Sequence, residues 1–194
     1  MCRLVLAVAL LLQSANTPSV RVILDTDLGS ITVEVDVARA PITAANFLKY
    51  VDDGFYDGGR FHRAVRPATE RRTDVPIQVV QAGINPARRA DAFPAIPLER
   101  TRATGLTHAD GVISMARGGP DSARSDFFLC IGDQPDLDFG GRRNADGQGF
   151  AAFGRVVDGM DVVKRIQTAA VRPGTETLDP PITILKARRA GSPA

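Results

Sequence analysis

Val20-Arg21-Val22-Ile23-Leu24-Asp25-Thr26-Asp27-Leu28-Gly29-Ser30-Ile31-Thr32-Val33-Glu34-Val35-Asp36-Val37 is the segment from which the fold can be read. Two β-rich runs, Val20–Asp25 and Ile31–Val37, meet at Asp27-Leu28-Gly29, and in the second Ile31, Val33 and Val35 alternate with Thr32, Glu34 and Asp36. A period of two puts every second side chain on one side of a strand, so a hairpin with one buried face is expected. Short apolar stretches follow at Gln78–Gln81, Val112–Met115, Phe127–Ile131, Ala151–Val157 and Ile182–Leu185, separated by Gly-, Pro- and Asp-rich connections. Helical spacing occurs twice. Ala44, Phe47, Leu48 and Val51 repeat behind Pro41 and Thr43 until Asp52-Asp53-Gly54, and Met160, Val163 and Ile166 face one way further on. About eight strands and two helices point to a mainly β protein. A closed eight-stranded antiparallel barrel capped by two α-helices is expected, because closure removes the exposed edges that an open sheet must protect.

The chain has 194 residues, 24 basic and 22 acidic, so its net charge is only +2. Neither a nucleic-acid-binding tail nor a polybasic membrane tether fits that balance. One domain is expected over residues 20–187, preceded by a leader and spacer (1–19) and followed by a short tail (188–194). The leader reading rests on Met1-Cys2-Arg3, nine apolar residues from Leu4 to Leu12, and Gln13-Ser14-Ala15-Asn16, the three-part shape of a secretory signal. Nine residues are too few to cross a bilayer that needs about 20, so no stable span is expected after cleavage, and the destination is periplasmic or secreted. A buried N-terminal strand or a membrane anchor is the alternative. The only cysteines, Cys2 and Cys130, exclude a disulfide framework. Cys130 reads as a small buried hydrophobe in a Phe-rich strand.

Several chemistries fail on residue type. His62 and His108 with one cysteine beyond the leader leave a structural zinc short of ligands. Arg142-x-Asn144-x-Asp146-Gly147 has an arginine where a calcium loop starts and Phe153 where its bidentate acid belongs. Gly140-Gly141 and Gly147-x-Gly149 lack the helix and lysine of a phosphate cradle, and no G-x-S-x-G turn occurs. No metal or cofactor is expected. Three segments exceed turn length, namely Arg66–Pro76, Ile84–Gly105 and Phe139–Gly149, and long loops on a rigid barrel are where binding surfaces gather.

Two stretches remain: Phe61-His62-Arg63 with Val79-Val80-Gln81-Ala82-Gly83, and Gly111-Val112-Ile113-Ser114-Met115-Ala116-Arg117-Gly118-Gly119-Pro120 leading to Ser125-Asp126-Phe127-Phe128-Leu129. With Ala40-Pro41-x-Thr43-Ala44-x-Asn46-Phe47 and Phe153-Gly154-Arg155-Val156-Val157-x-Gly159-Met160-x-Val162-Val163, they resemble the cyclophilins from about Val20 to Leu185. That resemblance implies peptidyl-prolyl cis-trans isomerase activity on proline-containing polypeptides in an assistant of protein folding, without cofactor; a monomer is the default expectation. It places Arg63 at the catalytic arginine, Gln81 at the site glutamine and Phe128 at the phenylalanine of the proline pocket. Leu137 matches the pocket leucine, Val79 stands where Met is common, and Ala116 and Arg117 occupy the substrate-backbone edge, where Asn is usual at the second position. Phe150 falls where His or Tyr is common, Asp126 replaces a Gln, and Asp136 lies near a Trp or Phe. Phe61, His62 and Met115 complete the expected substrate-binding set.

Elementary chemistry agrees with these roles. Rotation about an X-Pro bond is opposed by about 18–20 kcal/mol of amide conjugation, and a twisted amide localises a lone pair on the prolyl nitrogen. Arg63 stays protonated and offers fixed N–H donors to that lone pair, acting as an electrostatic stabiliser and not as a proton donor. Gln81 can orient Arg63 while holding a substrate carbonyl. Structural alternatives stay open: Arg63 pairing with Asp126 or Asp136, Gln81 satisfying a strand end, and His62 serving as a barrel histidine. A proline-peptide-binding or chaperone-like module with little turnover is the alternative function. Phe127 and Phe128, adjacent on a strand, must face opposite ways.

Overall fold

The expected hairpin is present as β1 (Ser19–Thr26) and β2 (Gly29–Asp36), antiparallel with Val22 opposite Val33 and Leu24 opposite Ile31. The structure, a computed structural model, describes residues 19–191; the leader at its N-terminal end lies outside the described residues. Beyond the hairpin come α1 (Pro41–Asp52), β3 (Gly59–Val65), β4 (Val79–Gly83), the single helical turn α2 (Thr101–Thr104), β5 (Val112–Met115), β6 (Phe127–Cys130), β7 (Ala151–Asp158), α3 (Met160–Thr168) and β8 (Thr177–Arg189). The strands close in the order β1-β2-β7-β5-β6-β4-β3-β8, every pairing antiparallel. Closure depends on β8, which pairs with β1 along one edge and β3 along the other.

Alternation sorts side chains into two apolar clusters. Val22, Leu24, Ile31, Val33, Val35, Val80, Ala82, Phe127, Leu129 and Phe153 point inward and form the barrel core. Val79, Phe128 and Cys130, their neighbours in sequence, point outward and join Val65, Ile77 and Leu137 in a second cluster. Pro41 suits the first helical position of α1, where its missing N–H costs nothing. From α1, Ala44, Phe47, Leu48 and Val51 cover the core, with the Phe47 ring 5.5 Å from Tyr56, 5.6 Å from Phe127 and 5.2 Å from Phe153. Such ring pairs add roughly 0.5–1.5 kcal/mol each beyond their buried area. The second cap is α3, through Val162, Val163 and Ile166.

The structure adds detail to the sequence reading in three places. β3 is a strand where no apolar alternation announced one. β8 runs well past Ile182–Leu185 at both ends, and Arg189 still pairs with Val22, beyond the expected domain end at 187. The charges of Lys186, Arg188 and Arg189 hide this extension from a hydropathy reading. The segment 84–105 is not structureless: Asn85 caps a 3₁₀ turn (Pro86–Asp91) by accepting from the Ala87 N–H at 3.0 Å, Ile96 bridges to Ala123, and Gly105 ends α2 at φ +70°.

Candidate active site

The side chain of Arg63 reaches the outer surface because β3 carries a bulge. Phe61 opposes Ala82 and Arg63 opposes Gln81, so His62 is an extra residue with no counterpart on β4. Strict alternation would bury Arg63 on the same side as Phe61. The additional residue shifts the phase by one and turns the guanidinium outward beside Gln81, the re-aiming that bulges impose. Phe61 is fully buried and packs in the barrel core, which corrects its expected place in the substrate-binding set. Met115 needs the same correction. It opposes Phe127 and Ala151 on the inward face of β5 and belongs to the core cluster, leaving Ser114 to face outward with Phe128.

A cavity of about 230 Å³ opens on the outer face, over the second apolar cluster. Its apolar wall is Ile77, Val79, Phe128, Leu137 and Phe150, with Ala116 at the edge, and its polar wall is Arg63, Gln81 and Arg117. The volume lies below the roughly 300–1,000 Å³ of drug-sized ligand sites and suits one ring-bearing side chain. A shallower cleft continues from it past Gln81, Ala116 and Arg117 to Ser122, Arg124 and Asp126. His62 does not line the cavity; its Nε2 lies 3.8 Å from Asp126 at the cleft.

Arg63 is pinned from two sides. Its Nη1 donates to Gln81 Oε1 at 3.0 Å, while Nε and Nη2 reach Glu176 Oε2 at 2.8 and 2.7 Å. Neither Asp126 nor Asp136 is its partner; Asp136 is taken by Arg142 at 3.2 Å. Glu176 comes from the entry to β8, where Thr177 opposes Arg63, and its other oxygen accepts from the Arg71 N–H at 3.3 Å. The carboxylate side chain is 12% exposed and that of the arginine 33%. An arginine has five N–H donors. Two donate hydrogen bonds here, from Nε and Nη1, while Nη2 sits against Glu176 as an ion-pair contact, which leaves further N–H groups without a hydrogen bond on a cation whose direction is fixed. Glu176 was missed by sequence reasoning because 113 residues separate it from Arg63 and no motif links them.

The floor of the cavity is held from behind. His108 lies nearly parallel to Phe128, centroids 5.9 Å apart and planes at 16°, and Phe150 meets Phe128 edge-on at 5.3 Å. His108 Nδ1 is 2.7 Å from Asp138 Oδ1 and Nε2 is 2.9 Å from Ser114 Oγ. With Nδ1–H donating to the carboxylate, Nε2 accepts the Ser114 hydroxyl hydrogen. This order mimics a hydrolytic triad, yet His108 and Ser114 are both buried and no substrate carbonyl can approach the hydroxyl. Its effect is to lock the ring on which Phe128 rests. Cys130, two residues further along β6, is also buried; burial pushes its thiol well above the usual range, the charges of Asp138 and Asp110 adding to the effect.

Two of the long segments meet at the cavity mouth. Arg143 and Asn144 line the cavity, a contribution the sequence reading did not assign. Arg143 pairs with Glu70 at 3.3 Å and donates to the Val75 carbonyl at 2.7 Å, while Arg72 donates to the Arg142 carbonyl at 3.0 Å, so segments 66–76 and 139–149 brace each other. Burial alone would raise Glu70, but the backbone N–H groups of Arg72 and Ile77 and the Arg143 charge bring it below the usual range. Arg117 forks onto Asp146 at 2.7 and 2.9 Å and donates through Nε to the Gly149 carbonyl at 2.7 Å. That hydrogen bond from Arg117, reinforced by the Gln148 backbone, holds the Asp146 carboxyl down at about 2. Gly149 closes the loop at φ +66°, where a Cβ would stand 2.5 Å from the Asp138 carbonyl carbon.

Comparison with known proteins places this geometry. The profile of the family described as "Cyclophilin type peptidyl-prolyl cis-trans isomerase/CLD" matches residues 21–189. Peptidyl-prolyl cis-trans isomerase A of Dickeya dadantii is 35% identical over 178 residues, covering 90% of this chain and 86% of that protein. Peptidyl-prolyl cis-trans isomerase B of Escherichia coli is 33% identical over 146 residues, 75% of this chain and 82% of that one. The crystal structure of a Cryptosporidium parvum cyclophilin type isomerase superposes with a TM-score of 0.70 at 19% identity, over 91% of this chain and all of that one, a likeness of fold. The same protein has also been crystallised in the presence of the dipeptide Ala-Pro. Barrel, family profile and curated relatives agree: the chain belongs to the cyclophilin-type peptidyl-prolyl cis-trans isomerases, and its activity is peptidyl-prolyl cis-trans isomerisation.

Proposed function

We propose that Arg63 is the group that lowers the rotational barrier and that its substrates are proline-containing segments of other polypeptides. The observation that carries this reading is a guanidinium pinned by Gln81 and Glu176 at the wall of an apolar cavity. In the ground state the prolyl nitrogen lone pair is delocalised into the carbonyl. At the twisted state it is localised and basic, and an N–H of Arg63 meets it there, an interaction available only in the transition state. Val79, Phe128, Leu137 and Phe150 grip the pyrrolidine ring, and Ala116 and Arg117 carry the backbone beside it. Low-dielectric walls make each hydrogen bond to the twisted amide count for more than in water. No proton changes owner, so the rate depends on position and charge.

We also propose, from the leader-like residues 1–19, that the domain works in the periplasm or outside the cell, with envelope or secreted proteins as clients. Among the described residues no helix is long and apolar enough to cross a membrane. The test of the catalytic reading is cis–trans exchange of an Ala-Pro peptide followed by NMR, with the full chain at catalytic concentration. Accelerated exchange is expected. Saturable peptide binding with exchange at the uncatalysed rate would support the binding-module alternative instead. Intact mass of the protein recovered from cell fractions tests export: a chain shortened near residue 16 in the periplasmic fraction supports it.

A further inference from the structure

A second hollow, with an apolar floor, is lined by Arg60, His62 and Thr177, close along the chain to Arg63 and Glu176, and shares no lining residue with the proline cavity. About 580 Å³ in volume, it is enclosed by β3, the start of the 84–105 segment and the entry to β8. Its floor is Ile84 and Leu178, both buried, with Pro86 and Pro181 beside them. Cations edge the groove: Arg60, Arg89 and Arg172 are exposed, and His62 stands where the groove meets the catalytic face. Asp179, the one carboxylate lining it, lies 3.6 Å from Arg172. Arg60 and Arg89 make no ion pair among the described residues. An apolar trough with two uncommitted guanidinium groups at its rim complements an extended chain that carries carboxylates.

Position ties the groove to catalysis. Arg60 and Arg63 lie three residues apart on β3 with the bulge at His62 between them, opposite Gly83 and Gln81, so at about 3.3 Å per residue their backbones stand roughly 7–10 Å apart. An extended client chain spans that distance in three or four residues. The two sites also share β8: Glu176 holds Arg63 and the adjoining Thr177 lines the groove.

We propose that this groove is a flanking subsite that selects clients with acidic residues about three to five positions from the proline, Arg60 and Arg89 being its specificity-determining residues. The proposal rests on the isomerase reading of Arg63 and adds a preference to it. Three peptides with one Ala-Pro core test it, their flanks on either side carrying Glu, Gln or Lys, with kcat/KM measured on the wild-type chain and on the double variant Arg60→Gln, Arg89→Gln. Both arginines are exposed, and neither touches the proline cavity. The Glu-flanked peptide is expected to exceed the Gln-flanked one by about fivefold to tenfold and the Lys-flanked one to fall below it. The gap should shrink at high salt, as exposed ion pairs do, and vanish in the double variant, with the Gln-flanked peptide unchanged. Equal treatment of all three peptides by the wild type, or a gap that survives the double substitution, overturns the proposal. Absence of turnover on every peptide would instead remove the isomerase reading beneath it.

Discussion

With Arg63 in the proposed role, removing Glu176 is expected to perturb catalysis without removing any group proposed to touch the substrate. One oxygen of this carboxylate accepts the Arg63 Nε–H at 2.8 Å and lies 2.7 Å from Nη2 as an ion-pair contact. Charge-assisted hydrogen bonds contribute roughly 1.5–3 kcal/mol each when fully buried. This arginine is one-third exposed, so the pair is worth about 1–2 kcal/mol after screening. In Glu176→Ala the guanidinium keeps its bond to Gln81 but regains rotation about its stem, a freedom worth up to about 2 kcal/mol for a long side chain. Losing the nearby anion also raises the potential at Arg63, which favours the twisted amide. That gain is smaller, because the site is open to water and the cation is already fully charged. Orientation therefore dominates. A loss of about 1.4 kcal/mol in the transition state is tenfold in rate, so Glu176→Ala is expected to lower kcat about fivefold to tenfold with KM nearly unchanged. Glu176→Gln, which keeps the stem and one acceptor, should retain most of the activity. The assay is NMR exchange at saturating Ala-Pro peptide, with thermal unfolding in parallel; a midpoint drop of a few degrees is expected at this size. An undiminished kcat in the alanine variant would refute the reasoning, and a loss confined to KM would move Glu176 to substrate binding.

Other consequences concern the loops and the buried thiol. Asp146 is held at about 2 by Arg117 and so contributes stability that is fully present above its ordinary value near 3.8 and is lost as pH falls through about 2. Asp146→Asn should lower the melting temperature slightly at pH 7, and its deficit against wild type should close between pH 4 and pH 2. The Glu70–Arg143 pair has side chains only 2% and 11% exposed. Glu70→Ala leaves the arginine unpaired and should cost about 3–5 kcal/mol in urea unfolding, whereas Arg143→Met with Glu70→Leu should recover much of that. Cys130, buried and with its thiol pushed up, should resist iodoacetamide in the folded chain at pH 8 and react once guanidinium unfolds it, as read by peptide mass mapping.

Most of the barrel was legible because alternation is a local signal. Ile31, Val33 and Val35 announced one buried face, and Phe127 and Phe128 could be assigned to opposite faces before any coordinates, as their two clusters now show. β3 was illegible for the reason that makes it useful: its bulge at His62 breaks the period of two, and Arg60, His62 and Arg63 make it polar. Motif adjacency placed Phe61 and Met115 in the site, but adjacency in sequence says nothing about which face a side chain takes. Glu176, Arg143 and Asn144 arrive through loops whose paths depend on tertiary ion pairs, and no spacing encodes those. The groove lined by Arg60 is of the same kind, assembled from three segments far apart in the chain.

Arg63→Ala is the most direct test, because the proposed mechanism rests on the Arg63 guanidinium at the wall of the apolar cavity. In NMR exchange of an Ala-Pro peptide, kcat/KM should fall by about 30-fold or more, while peptide binding and the thermal midpoint change little. A loss of less than tenfold, under about 1.4 kcal/mol of transition-state stabilisation, would contradict the role assigned to the guanidinium.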